Sequence, residues 1–544
     1  MMTATLAKRL RTFWANPVVT RDLRVRMRGS KSYWQQALYL GLVGLLALVG
    51  YGEAVGSSGG DGMSAVDVQR QLQSFYYFIF LTLAALISLI APALTAVSIT
   101  TERQSLSLDL LVMTPLSASE LLVGKMISSV AFLALLLALS LPASALCVIL
   151  GGATLGDVIR IYLLLAIDGL VMAAIGLAIS CTVRASLPAL VWSYLLVIAL
   201  LIVTFFLSSG AFSSFGRGGA NVSPAMALGV LNPFMAVYIG GRSFLLMSHD
   251  VPLWVGTAVA AYFLIRLLVT AATYRLGRYG GNAIGSLRRQ LLVITGLTVF
   301  CLANSFFSLG RIGITSSRST TSVSGALEGS LITAFLLGAL LLPSLFTPAA
   351  AHEDDPPGQP VRGLYAIRRA FQPEHSGALP YFHLWLLTVV VCAALGVWLG
   401  GGMKPFTRIL WIPLGLTTFY LSGLGFFLWS LARRAATLVT GVSAARALCF
   451  VFFAVFSWLP IATLSILYNG SSASDENSSL LARVWILFPL LKLDGDDWHS
   501  GAARAALLWS GALCYGLGML AYPFWRDVVP GGRRKKETRR VNSV

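Results

Sequence analysis

Apolar runs of about 20 residues, the length a helix needs to cross a hydrocarbon core of roughly 30 Å, recur along the whole chain. Nothing else in the sequence constrains the fold as strongly. Inside lipid every backbone amide must find its partner within the segment or in a closed sheet, so runs of this length specify transmembrane helices. Read on that length criterion, the 544 residues hold roughly twelve spans. They centre on Tyr33 to Tyr51, Phe75 to Ser98, Leu121 to Leu150, Ile159 to Ser180, Leu187 to Leu207 and Leu253 to Ala272. The rest centre on Leu291 to Leu309, Leu331 to Ala351, Tyr381 to Leu399, Ile409 to Leu431, Ala447 to Leu467 and Ala505 to Phe524. With 56% hydrophobic residues, 11% charged and a mean hydropathy of +0.77, composition also excludes an ordinary soluble domain. The predicted fold class is an all-α polytopic membrane protein.

The formal charge of +18 would suit a nucleic-acid binder if it were clustered on one domain. It is not. With the N-terminus inside, most of the 40 Lys and Arg fall in cytoplasmic segments, while acidic residues divide nearly evenly. That is the positive-inside pattern, so the basic excess reports topology, with both termini cytoplasmic. The first 32 residues hold eight Lys and Arg and no continuous apolar stretch, unlike a cleavable signal peptide. The C-terminal GGRRKKETRR is expected to be a solvated tail, with anionic lipid as its neighbour. Six cysteines lie singly, without CxxC pairs or His at ligand spacing, which points to packing rather than metal.

The runs fall into two sets of six, giving a cytoplasmic segment 1–32, a first half 33–280, a divergent second half 281–526 and a tail 527–544. Aligning APALTAVSITTE with LPSLFTPAAAHE places Pro92 on Pro343 and Glu102 on Glu353. Between the fifth and sixth spans of each half lies a short apolar segment with a proline, ALGVLNPFMAVYIG with Pro233 and RVWILFPLLKL with Pro489. Both are expected to be re-entrant pieces at the outer face, covered by protein.

Before the first span, NPVVTRDLRVRMRG offers Asn16 as a helix cap and Pro17 in the first turn. Arg21, Arg24 and Arg28 share one sector and Val19, Leu23 and Met27 another, the pattern of an interfacial helix with its apolar face in lipid. Between the second and third spans lies TTERQSLSLDLLVMTPLSASELLVGK. Thr101 with Gln104 and Ser117 with Glu120 fit capping boxes, and Pro115 separates them. The expected result is a helix from about Glu102 to Met113, with Leu106, Leu110 and Met113 on one apolar face. Either the bilayer or a groove on a partner must cover that face. Glu102 would strengthen the helix start through the dipole or reach a basic residue on the partner.

Catalytic signatures are absent. No GxxxxGK[ST] loop occurs, because Gly124 and Lys125 are followed by Met126, and no nucleophile triad or carboxylate pair is recognisable. Asp494, Asp496 and Asp497 form an acidic outer loop, read as solvated rather than cation-binding. Asp168 and Arg266 fall within spans, where charge is costly. Their similar depths suggest an ion pair between the fourth and sixth spans; a polar spot on a translocation path is the second reading.

The strings TER, DLLVMTPLS, EL and GK from Thr101 to Lys125, with NPVVTRDLRVRMRG upstream, resemble the ABC-2 type permeases. The resemblance is nearest to the group associated with multicopper-enzyme maturation and gliding motility, and covers about the first 280 residues. It implies an elbow helix carrying Asn16, Pro17, Arg21, Arg24 and Arg28. It also implies a coupling helix with Glu102, Arg103, Leu106, Leu110, Met113, Pro115 and Glu120. The second-half loop keeps Glu353 but lacks the TP and GK elements; Leu364 and Arg368 in GLYAIRRAF mark its candidate coupling helix. What the resemblance further implies is an exporter permease in a bacterial cytoplasmic membrane, as one fused chain or a homodimer, in contact with membrane lipid. It would have no cofactor of its own, since ATP and Mg would be bound by separate ABC ATPase subunits. The rival is a twelve-span secondary transporter, which would place acidic clusters and broken helices at the membrane midplane. No residue selects a substrate.

Overall fold

The computed structural model describes residues 17–28, 30–56, 65–106, 118–150, 152–214, 221–222, 225–246, 249–276, 283–311, 371, 378–401, 415–416, 418–427, 429–430 and 501–521. It divides into two compact units, one up to Gln290 and one from Leu291 onward.

The first unit starts with the short helix α1 (Pro17–Met27), followed by α2 (Ser30–Gly56), α3 (Ala65–Ala96) and α4 (Ser98–Gln104). Then come α5 (Ala118–Leu139), α6 (Leu141–Ile149), α7 (Leu155–Thr182) and α8 (Ser186–Ser214). Among the described residues five segments are long and apolar enough to cross a membrane: Tyr33–Gly52, Gln69–Gln104, Ala118–Ile149, Leu155–Thr182 and Leu253–Thr273. The fifth belongs to α11 (Leu253–Leu276). Helix α7 is the hub and packs against α3, α5, α8 and α11. Its small and apolar residues are therefore enclosed, with Leu164, Leu165, Val171 and Met172 fully buried. Thr154 and Asp157 form a reciprocal capping box at its start, and Asp157 also accepts from Arg160 at 2.6 Å.

Two prolines break the long helices. In α3, Pro92 lacks the amide that would continue the ladder. The helix stops at Ala96 and resumes at Ser98 as α4, with Thr95 Oγ1 turned back to the carbonyls of Ala91 and Pro92. The third predicted span, expected as one helix over Leu121 to Leu150, is divided at Ser140, with Pro142 in the first turn of α6. Ser140 Oγ donates to Leu137 O and shares a hydrogen bond with the Tyr162 hydroxyl at 2.9 Å, which donates in turn to Ser144 Oγ at 3.0 Å.

The expected re-entrant segment of this half forms two short helices, α9 (Ala225–Gly229) and α10 (Pro233–Ile239), covered by protein. Asn232 makes the corner. Its Oδ1 accepts from Phe234 N, satisfying a backbone amide at a break that lipid could not serve, and its Nδ2 donates to Leu201 O of α8. Unforeseen in an all-α reading is a small sheet of β1 (Asn221–Val222), β2 (Ser243–Leu246) and β3 (His249–Pro252). Strand β2 pairs parallel with β1 and antiparallel with β3. Gly241, just before β2, allows the Arg160 guanidinium to lie against the backbone, where a Cβ would stand 2.8 Å from Nη2.

The second unit includes the later part of α12 (Ala283–Arg311), α13 (Ala378–Gly401), a helical stretch over 418–427 and α14 (Gly501–Ala521). Trp385, Tyr381 and Phe382 of α13 are fully buried, and Asn304 donates to Gly396 O at 3.1 Å. Ser422 and the Tyr515 hydroxyl share a hydrogen bond of 2.5 Å. The predicted eighth and eleventh spans, the second re-entrant segment with Pro489, the acidic loop Asp494 to Asp497 and the basic tail lie outside the described residues.

Candidate functional site at the base of the first unit

At the end of the bundle where α3 passes into α4, four charged side chains from three elements converge. Lys125 lies on α5, one turn or so into an otherwise apolar run, where an ammonium needs a partner. It has two. Its Nζ lies 2.8 Å from Glu102 Oε1 of α4 and 3.5 Å from Asp22 Oδ2 of α1. Arg21 adds longer contacts, 3.6 Å to Glu102 and 3.9 Å to Asp22. The set is neutral overall. The side chains of Lys125 and Glu102 are 6% and 12% exposed, so their attraction acts in a largely dry setting. Arg21 is 56% exposed and contributes little.

Helix α4 is also fastened to the end of α7. The backbone amides of Ile99 and Thr100 donate to Ser180 Oγ at 3.0 and 3.3 Å, supplying partners for amides in its first turn. In return, Arg103 donates from Nη1 to Val183 O at 3.1 Å and from Nη2 to Cys181 O at 3.4 Å. Those carbonyls belong to the C-terminal turn of α7, where a cation also meets the negative end of the helix dipole. Ser186, at the start of α8, donates to Gln104 Oε1 at 2.5 Å. Below, Ile99, Leu121, Leu122, Leu177, Cys181 and Ala272 form one apolar cluster.

Several expectations need correction. Among the described residues a helix covers Ser98–Gln104, starting before the expected Glu102 and ending ahead of Leu106; the rest of the expected helix to Met113 lies outside the described residues. Thr101 is not its cap: it lies inside the helix, and its Oγ1 donates to Val97 O at 2.6 Å. The reason is continuity, because α4 prolongs α3 past the Pro92 break and needs no fresh start. Glu102 accordingly does not cap the helix, and its Oε1 pairs with Lys125 within the chain. Leu106 stands just after the helix with φ of 56°, the left-handed region, and is 76% exposed. Leu110, Met113 and Pro115 lie outside the described residues, as do Asn16, Glu353, Leu364 and Arg368. Glu120 is exposed in the first turn of α5. Arg24 on α1, which Pro17 opens, and Arg28 just after it are exposed. Val18 and Val19 are buried and α1 packs on α5, so part of the apolar side expected in lipid lies on protein.

The ion pair expected between Asp168 and Arg266 is not formed. Asp168 is fully buried on α7 and neither carboxylate oxygen has a hydrogen-bond partner among the described residues. Arg266 lies on an exposed part of α11, with its Nη1 3.4 Å from the Tyr262 hydroxyl. Similar depth did not ensure that the two side chains face each other around their helix axes.

Sequence reasoning missed Asp22, Lys125 and Ser180. Lys125 carried a usable signal, a lone base inside an apolar run, and once it is noticed Asp22 and Glu102 are the acids flanking the same membrane boundary. Ser180 carried none, since a serine near a helix end is unremarkable until another helix arrives.

Helices of this length, apolar composition and packing define a multi-pass membrane protein with an ordered polar knot at one end of its first unit. Residues 17–280, which hold that knot, match the family model described as ABC-2 family transporter protein. The match supports an ABC-2 type permease, the membrane component of an ABC transporter. No curated protein and no solved structure matches the chain.

Proposed function

We propose that this chain is the permease of an ATP-driven exporter, with α1 as its elbow helix, α4 as the root of its coupling helix, and hydrolysis performed by a separate ATPase subunit. The knot of Lys125, Glu102 and Asp22 carries the reading. It ties the elbow, the end of α3 and the start of α5 into one stiff piece within the family-matched region, and a push from below needs such a piece. The same reading places this end in the cytoplasm of a bacterium and leaves ATP and Mg on the partner.

The mechanism follows from rigidity. A subunit pressing on the residues that follow Leu106 in sequence would move α4 as a body, because its polar groups are bonded to α5, α7 and α8 rather than to water. The load then enters the spans, which shift between discrete packings. The purified chain is expected to show no ATPase activity and to gain it with a separate subunit; robust hydrolysis by the chain alone would contradict the assignment. Leu110→Asp should depress permease-stimulated hydrolysis, because a carboxylate would be pressed unpaired into the contact. Loss in Leu364→Asp as well would mean that both loops dock.

One observation favours the rival. Asp168 is a dry carboxyl in mid-span, a feature expected of ion-coupled carriers. Transport by vesicles that persists with ATP after the ion gradients are collapsed would exclude it.

A further inference from the structure

We infer that motion entering α4 is delivered to α7, and that Ser180 and Arg103 are the residues that make this connection. The inference rests on the coupling reading above and adds the route. Helix α4 and the last turns of α7 cap each other. Amides at the start of one bond the Ser180 hydroxyl of the other, while the Arg103 guanidinium spans the two carbonyls of Val183 and Cys181 at distances of 3.1 and 3.4 Å. Each helix therefore supplies partners for terminal groups that would otherwise require water.

The contact continues upward. At Gly176 a Cβ would stand 2.8 Å from the Pro92 carbonyl oxygen and 3.2 Å from the Ala96 amide, so the two backbones touch where α3 breaks. From Pro92 to Gln104 on one side and from Gly176 to Val183 on the other, the two stretches form a single unit, joined by backbone contact at the Pro92 and Gly176 end and by hydrogen bonds in the middle and at the Arg103 and Val183 end. Above it, Pro92 interrupts the α3 ladder, and a bend there costs less than anywhere else in the helix. Displacement of α4 accordingly pivots about the proline break and carries the end of α7 along. Helix α7 is the most enclosed of the candidate spans and packs against four of the other long helices, so its movement reaches the whole unit. The Glu102 to Lys125 pair anchors α4 to α5 but touches only the first turns of that helix, whose continuation is broken again at Ser140.

Genetically encoded spin labels at Ser105 and Thr182, both exposed, can be measured against a third at Tyr51 toward the far end of α2. The sample is the complex with its ATPase subunit in nanodiscs, and the probe is a non-hydrolysable ATP analogue with Mg. The unaltered complex should show both distances shifting together on nucleotide addition. In Arg103→Met/Ser180→Ala the Ser105 distance should still shift while the Thr182 distance stays at its nucleotide-free value. If Thr182 follows Ser105 in that variant as before, the capping route is wrong. If Ser105 fails to shift in the unaltered complex, the coupling reading itself fails. Should the double variant not assemble, Arg103→Lys, which keeps the charge but not the two-carbonyl span, takes its place with the same two distances and the same contradicting result.

Discussion

Among single residues, Lys125 carries the most. Its ammonium is nearly excluded from water and is held by two carboxylates from different helices. Removing one partner of such a pair leaves a charge without compensation, which typically costs about 3–5 kcal/mol. Glu102→Ala should therefore destabilise the purified protein strongly, with some of the loss cushioned by Asp22, and Lys125→Ala should leave two acids facing each other. In a double-mutant cycle on thermal unfolding, the double variant should lose clearly less than the sum of the two. Simple additivity would show that the pair is not energetically coupled. Leu106 tests a different term. A leucine in the left-handed region carries a strain of roughly 1–2 kcal/mol that glycine does not. Leu106→Gly is expected to raise the melting temperature or leave it unchanged, and Leu106→Val to lower it, since β-branching makes that region worse. A drop with glycine and none with valine would remove the strain argument. Such strain sits most often where a side chain is held for a contact.

Between elements, the sequence announced the helices but not how they end. Hydropathy located α2, α3, α5, α7 and α11 because length and apolar content suffice for a span. It misplaced the start of α4, because Thr101 with Gln104 is as good a capping box on paper as any. Only the three-dimensional course shows α3 continuing through the Pro92 break and Ser180 serving the amides that Thr101 was expected to influence. The division of α5 from α6 was likewise invisible in a purely apolar count, although Pro142 marked it. At the α3 and α7 contact, the decisive residue is the one with no side chain. Gly176→Ala would drive a methyl group into the backbone of Pro92 and Ala96 and onto the Thr95 hydroxyl. Overpacking of this kind costs about 1–3 kcal/mol, and here the backbone atoms of Pro92 and Ala96 cannot rotate away. The variant should unfold at lower temperature and lose permease-stimulated ATPase activity more than it loses assembly. Unchanged stability and stimulation would mean that the two helices are not held in close contact.

At the scale of the whole molecule, the membrane-spanning character was legible from length and hydropathy, and the likeness to ABC-2 permeases from a few strings between Thr101 and Lys125. The family match over residues 17–280 covers the stretch those strings occupy. The internal wiring was not legible. Depth along a helix can be counted, but the direction of a side chain around it depends on neighbours, and this is why Asp168 and Arg266 were paired on paper and are apart in the structure. The same limit hid the joining of Asp22, Glu102 and Lys125, which lie far apart in sequence and meet only when three helices do. The central claim is that this knot forms the floor on which an ATPase acts. It is tested most directly by a photo-reactive amino acid in place of Leu106, which is 76% exposed beside the knot. Irradiation of membranes containing the complex should yield an adduct with the ATPase subunit, strengthened or weakened by Mg and ATP. An adduct with lipid alone, with the ATPase bound elsewhere on the chain, would contradict it.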